Sequence, residues 1–271
     1  SASAAIAIGS VSTLTAGNLY SISSLSDLNK LASLVNSGQA SNCTFILTGD
    51  IDMANSPGYI PIGTDEHKFM GTFYGNGHVI SNVSISQSGT SGVGIFGVTG
   101  NTARILDLGV ENATVSGKDY TGVIVGNSAG TITNCYVKGN VNVNGNSYVG
   151  AITGQATTTI ASSYTSGNIN INGSGYVGGL AGYINNSVRN SFVQDVNVTS
   201  SGGKAGGFTG AFGSTASYDK ISIKGTINVS GSNCIGGYVG SSDINLSNLN
   251  ANVTGTVKAT NCLLYTSDAA D

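Results

Sequence analysis

A short glycine-anchored motif recurs six times along this chain at an almost fixed interval. Successive leading glycines are 28, 28, 28, 28 and 30 residues apart. A fixed period of roughly 20–50 residues is typical of one structural unit stacked on copies of itself. The sequence therefore predicts a solenoid, and its repeat-defining glycines are Gly94, Gly122, Gly150, Gly178, Gly206 and Gly236.

Each repeat contains three stretches with strand character. In the unit 122–149 they are Gly122–Gly126, Thr131–Val137 and Asn140–Asn144. Valine and asparagine alternate in the last stretch, which is the pattern of a strand with one buried face. Three strands per turn of about 28 residues predict an all-β fold, a three-faced parallel β-helix of roughly eight rungs. The preference of parallel crossovers predicts that it is right-handed.

Stacked rungs place equivalent residues in columns. We expect an apolar column of Val141, Ile169, Val196, Ile227 and Val257. We expect two aromatic columns, one of Tyr136, Tyr164 and Phe192, the other of Tyr120, Tyr148 and Tyr176, ending at Lys204. The outward asparagines are expected to form hydrogen-bonded ladders. Which residues of the Val-Gly-Gly segments point inward is left open by their pattern.

The N-terminal region predicts a capping helix over residues 25–37. Leucines recur there at helical spacing, Ser24 with Asp27 forms a capping-box-like start, and Gly38 supplies a stop. Such a helix would cover the unpaired edge of the first rungs. We therefore divide the chain into a lead-in with this helix (1–43) and a β-helix (44–261). Residues 262–271 resemble the translation of a sequencing adapter, so the parent protein is expected to continue beyond them.

Composition excludes several classes of function. Only 8% of the 271 residues are charged and the formal net charge is −3, so the chain has no basic footprint for nucleic acid. No apolar run approaches the roughly 20 residues that cross a bilayer. Cys43, Cys135 and Cys234 form no CxxC pair, which favours buried thiols over zinc or a disulfide framework. No cofactor is expected.

The best candidates for chemistry lie in the least repetitive region, 50–78. Paired carboxylates there could serve glycoside cleavage if suitably separated. The residues are Asp50, Asp52, Asp65 and Glu66, with His67 and His78 nearby. Two aspartates two residues apart on a strand share one face, where they can also bind Ca²⁺ or act structurally. We favour the structural role and expect His78 to be a hydrogen-bonding turn residue.

Over about residues 18–261 the chain resembles the GLUG-repeat proteins. The resemblance is carried by Phe69–Val83, by Val93–Gly97 and by later copies such as Gly178-Gly-Leu-Ala-Gly182. These repeats occur in large bacterial surface and secreted proteins, including adhesins and non-catalytic regions of immunoglobulin-A-cleaving proteases. The resemblance implies an extracellular β-helical stalk or adhesive module, and it carries no catalytic residue onto this sequence.

Two functional hypotheses follow. The first is a non-catalytic, extracellular or cell-surface module that spaces other domains or binds a surface glycan or protein through flat β-faces. The second is a carbohydrate-active β-helix, a lyase or hydrolase with its site near residues 50–78. A third, ice binding on a threonine face, is disfavoured because Thr-x-Thr does not recur at the repeat interval.

Overall fold

The computed structural model describes residues 4–259. They form a parallel β-solenoid of about nine turns with about 28 residues per turn, 53% β, and one α-helix. The predicted architecture is confirmed, with one turn more than expected. The added turn comes from the lead-in, where Ile6–Ala7 pairs with Leu19–Ile22 and the latter pairs with Thr44–Leu47, all in parallel.

The strands belong to three sheets. The fifteen-stranded sheet contains Ile6–Ala7, Leu19–Ile22, Thr44–Leu47, Ile51–Asp52, Thr72–Tyr74, Val79–Ser86, Arg104–Leu106, Gly109–Ser116, Thr131–Thr133, Tyr136–Asn144, Ile160–Ala161, Tyr164–Gly173, Ser187–Ser200, Ser217–Gly231 and Asn250–Ala259. The six-stranded sheet contains Phe96–Thr99, Val125–Ser128, Thr153–Ala156, Ala181–Ile184, Thr209–Phe212 and Val239–Ser242. The four-stranded sheet contains Tyr148–Gly150, Tyr176–Gly178, Ala205–Gly206 and Ile235–Gly236.

A regular turn passes through four strand segments instead of the three that we predicted. The glycine-apolar segment is divided between the four-stranded and the six-stranded sheet, as in Tyr148–Gly150 and Thr153–Ala156. The predicted strand Thr131–Val137 is wrong in its bounds: it ends at Thr133, and a long strand begins at Tyr136. At the break, Asn134 adopts the left-handed conformation, with a φ of 53°.

Two columns of left-handed residues form corners of the solenoid. Asparagine and aspartate adopt this conformation at lower cost than other non-glycine residues, and glycine adopts it freely. The first column lies just before the long strands or near their starts and comprises Asp107, Asn134, Ser162, Asn190, Lys220 and Asn248. The second lies within the long strands and comprises Asn82, Asn112, Gly139, Gly167, Asp195, Gly225 and Gly255. The long strands therefore bend at the second column without leaving their sheet.

The core is a single apolar interior that runs the length of the solenoid. Val141 pairs with Ile169 and the column continues through Val196 to Ile227, all buried. Its predicted last member is wrong. Ile227 pairs with Gly255, whereas Val257 pairs with Val229, because the last interval is 28 residues long and not 30.

The helix, α1, spans Leu25–Asn36, one residue shorter than predicted. The Ser24 hydroxyl accepts a hydrogen bond from the Asp27 amide at 3.1 Å, so Ser24 is the N-cap. The helix buries Leu28, Leu31, Ala32 and Val35 against the core.

The side chain of Asn36 joins α1 to the coil that begins at Thr44. Its amide nitrogen donates to the Pro61 carbonyl at 3.0 Å, and its amide oxygen accepts from the Gly63 amide at 2.8 Å. Between them, Ile62 forms a parallel bridge with Phe96 of the six-stranded sheet. The Asn36 side chain therefore pairs the Pro61 carbonyl and the Gly63 amide, which would otherwise need a preceding strand as their hydrogen-bond partner. This agrees with a capping role for α1.

Candidate binding surface

The repeat glycines lie above one another where the backbone of one turn approaches the next. Gly150 pairs with Gly178, which is followed in register by Gly206 and Gly236. A Cβ on Gly122 would lie 2.5 Å from Thr153 Cα and 2.5 Å from Val125 O. These positions need glycine because of the close approach of two backbones, since their φ angles are not in the left-handed region.

The first exposed ladder consists of half-buried tyrosines. The rings of Tyr120, Tyr148 and Tyr176 stack with centroids 4.9 and 5.2 Å apart and interplanar angles of 3° and 5°. Tyr183 packs edge-on against two of these rings, and Lys204 Nζ lies 5.2 Å from the centroid of Tyr176. Because stacked faces cover one another, the ladder presents mainly ring edges and hydroxyl groups to solvent.

The second ladder lies on the outer face of the long strands. Tyr136, Tyr164 and Phe192 stack with centroids 5.2 and 4.7 Å apart. At one end the Tyr136 ring lies against the backbone of Gly109, where a Cβ would meet the ring. At the other end Lys224 Nζ lies 3.9 Å from the Phe192 centroid. Both aromatic columns were predicted, but the sequence indicated only the lysine of the first.

Asparagine side chains form a hydrogen-bonded ladder beside the second aromatic column. Asn197 donates to Asn170 at 3.0 Å, Asn228 donates to Asn197 at 2.9 Å, and Thr256 donates to Asn228 at 3.0 Å. A second pair, Asn172 and Asn144, is 3.2 Å apart. Beyond the second left-handed column, the outer face of the long strands is therefore an ordered array of amides and hydroxyls with a repeat of about 4.8 Å, the strand spacing.

Asp50 immediately precedes the short strand Ile51–Asp52, and Asp52 ends it; both are exposed, and each accepts local hydrogen bonds. Asp50 Oδ1 accepts from the Val79 amide at 3.0 Å and lies 3.2 Å from His78 Nδ1. Asp52 Oδ1 accepts from Asn82 Nδ2 at 3.0 Å and from the Ala54 amide at 2.9 Å.

These contacts favour the charged form of both carboxylates. The pKa of Asp50 is lowered by the Val79 amide and then by His78, and the pKa of Asp52 by Asn82 and then by Ala54. A general acid in glycoside cleavage needs a raised pKa. The lowered pKa values of Asp50 and Asp52 therefore favour a structural role for this pair.

Asp65 and Glu66 lie elsewhere, at the tip of a turn. The Thr64 amide donates to the His67 carbonyl at 2.9 Å, and the His67 amide donates to Thr64 Oγ1 at 2.9 Å. Both acidic residues border an open groove of about 830 Å³, whose lining includes neither Asp50 nor Asp52. The structure therefore separates the four acidic candidates into two unrelated pairs.

Other chemistry-bearing groups are accounted for by packing. Cys43 and Cys135 are buried, as predicted, and Cys234 is half-buried. Within residues 4–259, no group of three or more His, Cys, Asp or Glu side chains is arranged to hold a metal ion. The groove was not anticipated from sequence, because it depends on how the segment after α1 crosses the first coils.

Comparison with known proteins supports the fold and suggests a location. The sequence matches no family model. It is 38% identical over 138 residues to "Halomucin" of Haloquadratum walsbyi, which is 47% of this chain and 2% of that protein. It is 30% identical over 132 residues to a "Putative Gly-rich membrane protein" of Evansella cellulosilytica, which is 46% of this chain and 15% of that protein. The chain thus spans a small part of both relatives.

A crystal structure of a "putative immunoglobulin A1 protease" from Bacteroides ovatus has the same fold. It superposes with a TM-score of 0.70 over 93% of this chain and 80% of that one, at 22% identity. The names of the two sequence relatives suggest a surface or secreted protein. In the described part of the chain, no helix has the length and apolarity to span a membrane.

Proposed function

We propose that this chain is a non-catalytic module of an extracellular or cell-surface protein that binds a surface glycan or protein through its flat β-faces. The observation that carries the proposal is the in-register array of amides, hydroxyls and aromatic edges on the long strands. Asn170, Asn197 and Asn228 hold one another in fixed positions over three turns. Such an array suits an extended polar polymer better than a small substrate.

The dimensions suit a spacer as well. Nine turns at a strand spacing of about 4.8 Å give a rod of about 40 Å. Continuous backbone ladders and a continuous core make the rod stiff along its axis. The resemblance to GLUG-repeat proteins and the name of the halomucin relative support an extracellular, adhesive setting.

A carbohydrate-active enzyme is the second candidate, favoured by the acidic turn beside the groove. Asp65 and Glu66 are both exposed there, and no described residue forms an ion pair with either. At the other acidic pair, Asp50 and Asp52, the lowered pKa values favour a non-catalytic module over an enzyme.

A glycan array combined with a polysaccharide-hydrolysis screen separates the two candidates. We expect binding without turnover, and we expect the outward substitutions Asn142→Arg and Asn170→Arg to reduce it at least tenfold. Ser88→Arg, on an exposed loop, is the matched control. Turnover that disappears in Asp50→Asn, Asp52→Asn or Glu66→Gln would contradict the proposal.

A further inference from the structure

An open groove of about 830 Å³ lies beside the C-terminal end of α1, where Val35 and Gly38 border it. Its floor is made where strands of four successive turns begin, at Gly17, at Asn42–Thr44, at Met70–Thr72 and at Thr102. Three strand spacings of about 4.8 Å make it about 14 Å long. Its volume of about 830 Å³ lies within the range of ligand sites, roughly 300–1,000 Å³.

The groove is held in shape by polar contacts under its surface. The buried Ser41 hydroxyl donates to the Lys68 carbonyl at 3.1 Å and accepts from the Met70 amide at 2.9 Å. Thr102 Oγ1 donates to the Met70 carbonyl at 2.8 Å. Gly71 lets its turn pass close to the carbonyls of Ser41 and Cys43, where a Cβ would clash. A ligand would therefore meet a preformed site with little to reorganise.

The wall of the groove carries two acidic side chains, and residues 4–259 provide no ion-pair partner for either of them. Asp65 and Glu66 project from a turn that is closed by two hydrogen bonds between Thr64 and His67. The His67 ring lies over Gly38, and Lys68 follows. Two carboxylates against one ammonium leave the wall net negative at neutral pH. The thioether of Met70 adds a partly exposed apolar surface.

We propose that this groove binds a neutral oligosaccharide. Paired carboxylates accept hydrogen bonds from adjacent hydroxyls, and the Met70 and Ala40 side chains supply contact for the apolar face of a sugar ring. The negative wall disfavours acidic sugars, and a length of four turns suits several linked sugars. This inference depends on the proposed function in one point: the chain must bind the saccharide without cleaving it.

Calorimetric titration with neutral gluco- and N-acetylgluco-hexasaccharides, and with polygalacturonate as the acidic comparator, tests this. Binding of a neutral probe is expected to weaken at least tenfold in the double variant Asp65→Asn/Glu66→Gln and in Ala40→Trp, which fills the groove from an exposed position. Asp219→Asn, an exposed carboxylate on a distant strand, is the matched control and should bind normally.

The outcomes distinguish this inference from the broader proposal. Binding that survives both groove changes but is lost in Asn142→Arg would overturn the groove and leave the binding module intact. Cleavage of the hexasaccharide would overturn the module. If no neutral probe binds, or only polygalacturonate binds, the groove is not a neutral-saccharide site.

Discussion

The ammonium nitrogen of Lys224 lies 3.9 Å from the centroid of the Phe192 ring, on the face that the next aromatic residue of the ladder would otherwise cover. The residue that pairs with Phe192 in the following turn is Ser222, which is too small to stack. At the end of the other ladder, Lys204 Nζ lies 5.2 Å from the centroid of Tyr176. In both ladders, therefore, a lysine covers the last ring face.

Replacing Lys224 should destabilise the solenoid slightly. A cation over an aromatic face at an exposed site contributes about 0.5–1 kcal/mol, so Lys224→Gln should lower the free energy of unfolding by that amount. Lys118 is exposed and lies over no aromatic ring of residues 4–259, so Lys118→Gln should have no measurable effect. Urea titrations of the two variants check this, and equal stabilities would contradict it.

Adding one methyl group at a repeat glycine should be far more damaging. A Cβ at Gly122 would lie 2.5 Å from Thr153 Cα and 2.9 Å from Ile152 O, backbone atoms of the next turn that cannot move without breaking the ladder. We expect Gly122→Ala to lower the free energy of unfolding by about 3 kcal/mol. Gly49→Ala is the control, because a Cβ there meets nothing within 4 Å. Thermal melts check this: equal melting temperatures for the two variants would show that the repeat glycines are not needed for close packing.

Much of this architecture was readable from sequence because stacking turns a spacing into a contact. The interval of 28 residues between Tyr136 and Tyr164 predicted a ring stack, and the same interval between Asn144 and Asn172 predicted an amide pair. Both contacts form because residues one repeat apart in the sequence lie next to each other in successive turns.

What the sequence did not reveal depends on irregular intervals and on crossings between segments. The left-handed corners recur, but their residues change from Asn112 to Gly139 to Asp195, so no single residue type marks them. The misplaced Val257 came from assuming a constant interval near the end of the solenoid. The groove is formed by residues as far apart as Gly17 and Thr102, and no local pattern predicts that meeting.

Asn36 should be important for attaching α1. Its side chain makes two hydrogen bonds, to Pro61 O and Gly63 N, where the surrounding backbone is buried. Asn36→Ala leaves both groups unpaired and should cost about 1–3 kcal/mol. Ser33→Ala, on the exposed side of the same helix, should cost much less. Hydrogen exchange of the α1 amides gives a direct readout, and protection that is unchanged in Asn36→Ala would refute the attachment.

The loss of folding stability at low pH should depend in part on the protonation of Asp50 and Asp52. Both have a pKa below the ordinary value of 3.8. A lowered carboxylate pKa stabilises the fold at pH values above the unfolded-state pKa, and this contribution is lost as the pH falls through the folded-state value. NMR titration of the two carboxyl carbons should therefore give midpoints below 3.8. In His78→Gln the Asp50 midpoint should rise only in part, because the Val79 amide is the larger cause. Midpoints at or above 3.8 would contradict these contacts.

Cys135 should react with thiol reagents only when the solenoid opens. Burial raises the pKa of its thiol to about 12, so the thiolate that attacks disulfide reagents is almost absent at pH 8. The buried thiol also donates to the Thr133 carbonyl at 3.3 Å. In a Cys234→Ser/Cys262→Ser background, modification of Cys135, followed by mass spectrometry, should track the opening of the surrounding turns and accelerate in urea. If Cys135 is modified in the native protein as fast as in urea, the stacked turns do not bury it, and the continuous core inferred for these repeats is wrong.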